Sequence, residues 1–317
     1  MKSGASRIAL HAAIAIAAVA GFAATNVPPD DCSAPFAAPR PASPERHYSL
    51  KLNTLYSPQF PVMGMFLKAR IDGGPTLRLL LDSGATYIVL DKRAAAVSGR
   101  TAGSPFDLVS FGSIPYAARR TAPGTVEIGD LTLRDCNILA VDSKLLDGID
   151  GVIPMSLFAG FLIHFDVPGK TLELEPYPQE SPVQDGTYSA ARADNCLLYL
   201  PAVLNETRSG YVLLDTGATY NAVSETAARA WNERSLLSHS IPLHGGAGAI
   251  DGLLLSHAVR FRFGSRVVSA DPVVVVDLSD VGRHRQFEVA GILGYPALRR
   301  AIVTIDYRDS LVRIDNK

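Results

Sequence analysis

Leu79-Leu80-Leu81-Asp82-Ser83-Gly84-Ala85-Thr86-Tyr87 returns later in the same chain as Val212-Leu213-Leu214-Asp215-Thr216-Gly217-Ala218-Thr219-Tyr220. Each copy is an apolar run followed by Asp, a hydroxyl residue, Gly, Ala, Thr and Tyr. A short continuous apolar run is the pattern of a buried strand, and Asp-Ser-Gly or Asp-Thr-Gly is turn chemistry that ends one. Each half of the chain therefore places one carboxylate at the tip of a hydrophobic strand.

A second landmark recurs in the same order. Gly151-Val152-Ile153 precedes the run Phe161 to Asp166, and Gly291-Ile292-Leu293 precedes Ala301 to Asp306 at the same spacing. Two landmarks repeated in one order make an internal duplication. The period is far too long for a solenoid and fits two similar lobes of ordinary domain size. Asp166 and Asp306 recur too, each before a turn-like segment, where a structural hydrogen bond at a strand end is expected.

These residues resemble the aspartic proteases. Asp82-Ser83-Gly84-Ala85 and Asp215-Thr216-Gly217-Ala218 match that family's Asp-Thr/Ser-Gly motif. Ala in fourth place, followed by Thr, is more similar to retropepsins and their bacterial relatives. Two copies in one chain are more similar to pepsin. Gly291 to Gly294 resembles the apolar-apolar-Gly strand that packs beside the active-site loop. The resemblance runs from about Tyr48 to the C-terminus. It implies a mainly β, bilobal acid-protease-like fold, with two pseudo-twofold-related β-barrel-like lobes and short helices. It implies Asp82 and Asp215 as a catalytic dyad acting on a peptide or protein. Ser83, Gly84, Thr216 and Gly217 would support the active-site loops, with Ser83 and Thr216 bonding across the lobe interface. No metal or organic cofactor is expected, and the duplication makes homodimerisation unnecessary, so a monomer is expected.

The chemistry requires two identical groups to behave differently. One carboxylate must take a proton from water while the other gives one to the scissile carbonyl oxygen. Carboxylates that touch cannot both be charged cheaply, so they share one proton, and the titration belongs to the pair. Ala85 and Ala218 add no hydroxyl beside the dyad, which points to activity toward less acidic pH. A protease of this type also needs a cover over the site. Gly245-Gly246-Ala247-Gly248 suits a glycine-rich flap, with Gly245 and Gly246 as candidate substrate contacts; a plain surface loop is the alternative. The matching stretch of the first lobe is Leu108 to Tyr116, with Gly112 and Tyr116 as candidates. One departure stands out: Pro154 replaces the glycine that the repeat calls for opposite Gly294. Proline removes an N–H and fixes its backbone angle, so the first lobe's supporting element is altered. A non-catalytic exported peptide-binding protein on the same fold is the alternative function.

Composition narrows the field. The chain has 317 residues, 47% hydrophobic and 19% charged, with a net charge of -1. That supports a sizeable core and carries no electrostatic footprint for nucleic acid. Cys32, Cys136 and Cys196 form no CxxC pair, which excludes a zinc ribbon or thioredoxin-type site. In an exported protein Cys136 and Cys196 either tie the lobes by a disulfide or remain thiols. The histidines show no HExxH spacing, and no G-x-S-x-G elbow, P-loop or dinucleotide fingerprint occurs.

The chain divides into residues 1–24, a secretory signal pattern with Lys2 and Arg7 ahead of the apolar run Ile8 to Ala20; 25–47, a proline-rich linker; 48–178, the N-terminal lobe; 179–195, a connection; and 196–317, the C-terminal lobe. An exported protein, periplasmic or extracellular, is expected, with an uncleaved N-terminal membrane anchor as the alternative. Val62 to Ile71, Leu77 to Leu81 and Tyr87 to Leu90 read as strands. Asp91 caps a short helix from Lys92 to Val97, closed by Gly99, and Ser224 caps its counterpart. Gly103 to Arg120, rich in small residues, reads as irregular.

Overall fold

The computed structural model of the protein describes residues 12–13, 40–56, 63–109, 115–142, 145, 147–179, 187–231, 237–245, 248–279, 281 and 287–317. The signal-like segment lies outside them except for Ala12–Ala13, which pairs with residues 243–244.

The fold is mainly β and bilobal, as expected. Each lobe is built on one large sheet, and in both sheets the central strands come in the same order. In the first lobe the order is Gly64–Ile71, Leu77–Asp82, Gly151–Pro154, Ile88–Leu90 and Ile138–Val141. In the second it is Leu197–Leu204, Arg208–Asp215, Val289–Gly294, Asn221–Ser224 and Val273–Val276. The repeated landmarks are therefore neighbours. Leu79, Leu80, Leu81 and Asp82 pair in parallel with Gly151, Val152, Ile153 and Pro154. Val212 to Asp215 pair in the same way with Gly291 to Gly294. Leu79 to Leu81 and Val212 to Leu214 are buried on both faces, which is why these strands read as unbroken apolar runs.

A third sheet joins the lobes. Tyr48–Lys51, Leu162–Asp166 and Thr171–Glu175 come from the first half, and Ser189–Ala190, Ala301–Asp306 and Leu311–Asn316 from the second. At its centre Leu162–Asp166 lies antiparallel to Ala301–Asp306, with His164 directly opposite Thr304. These two are repeat-equivalent residues, so the local twofold passes through this pair. His164 Nδ1 and Thr304 Oγ1 share a hydrogen bond of 3.1 Å. Asp166 and Asp306 close the strand ends, accepting from Gly169 N–H at 2.8 Å and Asp309 N–H at 2.9 Å.

Local chemistry sets the helices. Asp91 Oδ1 accepts from Ala94 N–H at 2.7 Å to open Lys92–Val97, and Ser224 Oγ accepts from Ala227 N–H at 3.0 Å to open Glu225–Ala230. The Met155–Phe158 turn is a 3-10 helix.

Two expectations change. Gly103 to Arg120 is not irregular: Ser104–Val109 and Pro115–Arg120 form an antiparallel hairpin, with Leu108 opposite Tyr116. Its support is remote. Pro115–Arg120 pairs with Ile138–Val141, and the Phe106 ring packs edge-on to Tyr87 at 5.4 Å, so the local propensity of small residues is overridden. In the second lobe Leu237–Gly245 pairs antiparallel with Gly248–Leu255. The end of the proline-rich segment is docked on the first lobe. Arg40–Pro41 pairs with Leu133–Arg134 at the sheet edge, where a proline is tolerated, and Ala42 N–H donates to Thr132 O at 3.0 Å. No disulfide joins Cys136 to Cys196. Cys136 lies in the first lobe's core, where burial pushes its thiol up to about 12.

Candidate active site

The two Asp-containing turns meet tip to tip between the lobes. Asp82 and Asp215 are each 0% exposed. A methyl group added at Gly217 would lie 2.4 Å from Asp82 Cγ, and one added at Gly84 would lie 2.6 Å from Asp215 Cγ. Each carboxylate thus rests against the glycine of the opposite loop. This close approach is why both loops need glycine, whatever the backbone angle.

The hydroxyl residues bind the loops together. Ser83 N–H donates to Thr216 Oγ1 at 3.0 Å, and Thr216 Oγ1 donates to Leu81 O at 2.9 Å. In mirror image, Thr216 N–H donates to Ser83 Oγ at 3.0 Å, and Ser83 Oγ donates to Leu214 O at 2.8 Å. Each hydroxyl accepts from the opposite loop's amide and donates to the opposite strand's carbonyl. All four bonds are buried, and together they fix the register of the two turns.

Amides stabilise the inner carboxylate oxygens. Asp82 Oδ1 accepts from Gly84 N–H at 2.7 Å. Asp215 Oδ1 accepts from Gly217 N–H at 3.0 Å and Ala218 N–H at 2.9 Å. The outer oxygens, Asp82 Oδ2 and Asp215 Oδ2, take no hydrogen bond from a protein donor among the described residues. They are the atoms open to a shared proton. Burial, then the charge of Asp215, holds the Asp82 carboxyl well above the usual carboxylate range. Burial also raises Asp215, to about 6, against the opposing hydrogen bonds from Asp82 and the Ala218 and Gly217 amides. Two buried carboxyls in contact retain a proton that isolated ones would lose.

Of the residues singled out from the sequence, Asp82, Ser83, Gly84, Asp215, Thr216 and Gly217 come together in this one cluster. Gly245 ends a strand and pairs with Gly248. Tyr116 lies on the Pro115–Arg120 strand of the first hairpin. Gly112 and Gly246 lie outside the described residues. Pro154 sits in register beside Asp82.

Two residues of the site were missed. Asn221 Oδ1 accepts from Gly294 N–H at 2.9 Å, and Tyr295 OH reaches Met65 Sδ across the lobes at 3.6 Å. For Asn221 a signal existed: it is the first position after the repeated Tyr where the copies differ, with Ile88 in the other. Tyr295 carries none, since its partner is remote in sequence.

Two lobes on a local twofold, a shared central sheet and paired Asp turns at the interface define the aspartic-protease fold. A family model described as aspartyl protease matches residues 67–157, which hold Asp82 and its parallel partner strand. Among solved structures, an aspartic proteinase from Irpex lacteus superposes with a TM-score of 0.56 at 14% identity. The match covers 86% of this chain and 98% of that one. No curated protein sequence matches significantly. The chain therefore has the bilobal architecture of the pepsin-like and retropepsin-like aspartic proteases, and its first lobe carries the family's sequence pattern.

Proposed function

We propose that the protein is an aspartic endopeptidase in which Asp82 and Asp215 together activate water. The observation that carries this reading is the apposition of two fully buried carboxylates, each seated on the other loop's glycine, inside a symmetric hydrogen-bond network. A structural turn needs no carboxylate opposite its twin, and burying two such groups together costs stability, which is characteristic of functional sites.

The reaction follows from the shared proton. A water held between Asp82 Oδ2 and Asp215 Oδ2 loses a proton to the ionised carboxylate as its oxygen attacks the peptide carbonyl carbon. The protonated carboxyl gives its proton to the carbonyl oxygen, so the tetrahedral adduct forms as a neutral diol. Collapse transfers a proton to the amide nitrogen, breaks the C–N bond, and returns the dyad holding one proton. The Ser83–Thr216 network contributes rigidity, keeping both carboxyls at bonding distance from the water.

Pro154 does not argue for lost activity. Its missing N–H faces a first loop that has Ile88 where the second has Asn221, so no acceptor is left unpaired. The strand pairs Ser104–Val109 with Pro115–Arg120 and Leu237–Gly245 with Gly248–Leu255 are the candidate covers. The substrate is a peptide or protein, handled by a monomer with both carboxylates in one chain. The positive start and apolar run before Ala24 support export.

The deciding experiment is cleavage of a peptide library by the purified protein from acid to neutral pH, beside Asp82→Asn and Asp215→Asn. Cleavage by the native protein and none by either variant is expected. Equal residual cleavage in one variant would sink the dyad, and peptide binding without turnover would favour a binding protein.

A further inference from the structure

The duplicated lobes permit comparison position by position, and around the dyad they are unequal. In the second lobe the landmark strand is tethered to the active-site loop. Asn221 Oδ1 accepts from Gly294 N–H at 2.9 Å, and Asn221 Nδ2 donates to Pro272 O at 2.9 Å. Tyr295 N–H donates to Ala218 O at 2.9 Å. The strand comes so near that a methyl group at Gly294 would lie 2.3 Å from Tyr220 O and 3.0 Å from Ala218 O. Ala218 is thus fixed at its carbonyl by Tyr295, and its N–H points at Asp215 Oδ1.

The first lobe lacks both tethers. Its equivalent of Gly294 is Pro154, with no N–H to give, and its equivalent of Asn221 is Ile88, with no acceptor. Donor and acceptor have gone together, so nothing is orphaned. Among the described residues no bond runs from Met155 N–H to Ala85 O, and Ala85 N–H makes none to Asp82. Asp82 Oδ1 accordingly accepts one amide hydrogen bond and Asp215 Oδ1 accepts two.

We propose that Asn221 is a positioning residue that makes the dyad unequal: by holding the Gly294 strand on the second loop it aims a second amide at Asp215. Asp215 is then the ionised member that takes the proton from water, and Asp82 carries the proton given to the carbonyl oxygen. The physical reason is that an amide donor stabilises a carboxylate more than a carboxylic acid, so the negative charge settles where donors are concentrated. The charged group facing each carboxyl is the other one, and the remaining influences are loop amides. Gly217 N–H favours ionisation of both carboxyls, with its hydrogen bond of 3.0 Å made to Asp215 Oδ1, so the amide that distinguishes the two is that of Ala218. The proposal rests on the reading of the pair as catalytic, and it assigns the roles that symmetry alone leaves open.

The test follows the side-chain carboxyl carbons of Asp by 13C NMR from acid to neutral pH in the full-length protein. Asp82→Asn and Asp215→Asn assign the two signals. Asp215 is expected to ionise at the lower pH and Asp82 at the higher. Asn221→Ile, which copies the first lobe, is expected to raise the Asp215 step by about one pH unit, the worth of one charge-assisted hydrogen bond. The acid limb of the pH–rate profile should move with it. A merely structural role for Asn221 would lower the melting temperature and leave the titration in place. Asp82 ionising first, or an unmoved Asp215 step in folded Asn221→Ile, would overturn the assignment. Should Asn221→Ile not fold, Ile88→Asn with Pro154→Gly rebuilds the tether in the first lobe. It should lower the Asp82 step, and an unmoved Asp82 step would equally overturn the proposal. The titration needs no turnover, so the two ideas fail separately. An ordered titration without peptide cleavage would remove the protease reading alone, and cleavage with Asp82 ionising first would remove the role assignment alone.

Discussion

Replacing Thr216 by Val exchanges one hydroxyl for a methyl group at nearly constant volume, so the loss is polar rather than a cavity. Thr216 is 1% exposed, and its Oγ1 both accepts from Ser83 N–H at 3.0 Å and donates to Leu81 O at 2.9 Å. The variant loses two buried hydrogen bonds, each worth about 1 kcal/mol net, and leaves Ser83 N–H beside a methyl group, at a further cost of about 1–3 kcal/mol. The expected destabilisation is about 3–5 kcal/mol. At roughly 2–4 °C per kcal/mol for a chain of this size, the melting temperature should fall by about 10 °C. Urea unfolding followed by circular dichroism measures the free energy directly. Ser83→Ala removes the mirror-image pair of bonds, from Thr216 N–H at 3.0 Å and to Leu214 O at 2.8 Å, and should cost a similar amount. Cleavage should fall in both, because the loops lose their fixed register. A Thr216→Val protein within about 0.5 kcal/mol of the native one would refute the claim that this network holds the lobes' active-site loops together, since surface substitutions typically cost no more than that.

Gly217→Ala and Gly84→Ala should each abolish cleavage while the lobes stay folded, because the new methyl group would lie 2.4 Å from Asp82 Cγ or 2.6 Å from Asp215 Cγ; circular dichroism together with a peptide assay reads both. The dyad should also tax stability as pH rises. Both carboxyls titrate above the ordinary 3.8 in the folded chain, Asp215 at about 6, so the native state binds more protons than the unfolded one across that interval. The contribution is fully present below the unfolded value and is lost as pH climbs through the folded one. Asp82→Asn should therefore exceed the native protein in stability near neutral pH, with the gap closing near pH 4; denaturant titrations at the two pH values check this, and a gap that widens in acid would contradict it. The same raised values place the singly protonated dyad at mildly acidic to neutral pH, so kcat/KM should peak there, and a profile confined to strong acid would count against the dyad as described.

Much of the molecule was legible because the signals are local. The apolar runs ending at Asp82 and Asp215 read as buried strands, and they are. Asp91 and Ser224 read as helix caps, and each accepts the amide three residues on. Two matching turns in one chain are far more telling than one, because a lone Asp-Ser-Gly is ordinary turn chemistry. The hairpin Ser104–Arg120 was misread because its sequence is full of small residues and its support comes from Ile138–Val141 and Tyr87, which no short window contains. The docked arm at Arg40–Pro41 was hidden for the same reason, its partner being Leu133–Arg134.

By itself the sequence determined that the apolar runs ending at Asp82 and Asp215 are strands, which turns carry the carboxylates, and that there are two lobes. Each of those facts depends on residues adjacent along the chain. Tertiary structure alone decided that Gly84 would lie against Asp215 and Gly217 against Asp82, that Leu162–Asp166 would pair with Ala301–Asp306 across the lobes, and that Asn221 would meet Gly294. These contacts join surfaces that exist only once each lobe has folded. That Pro154 and Ile88 stand where the second lobe has Gly294 and Asn221 acquires meaning only there, where Gly294 N–H is seen to donate to Asn221 Oδ1.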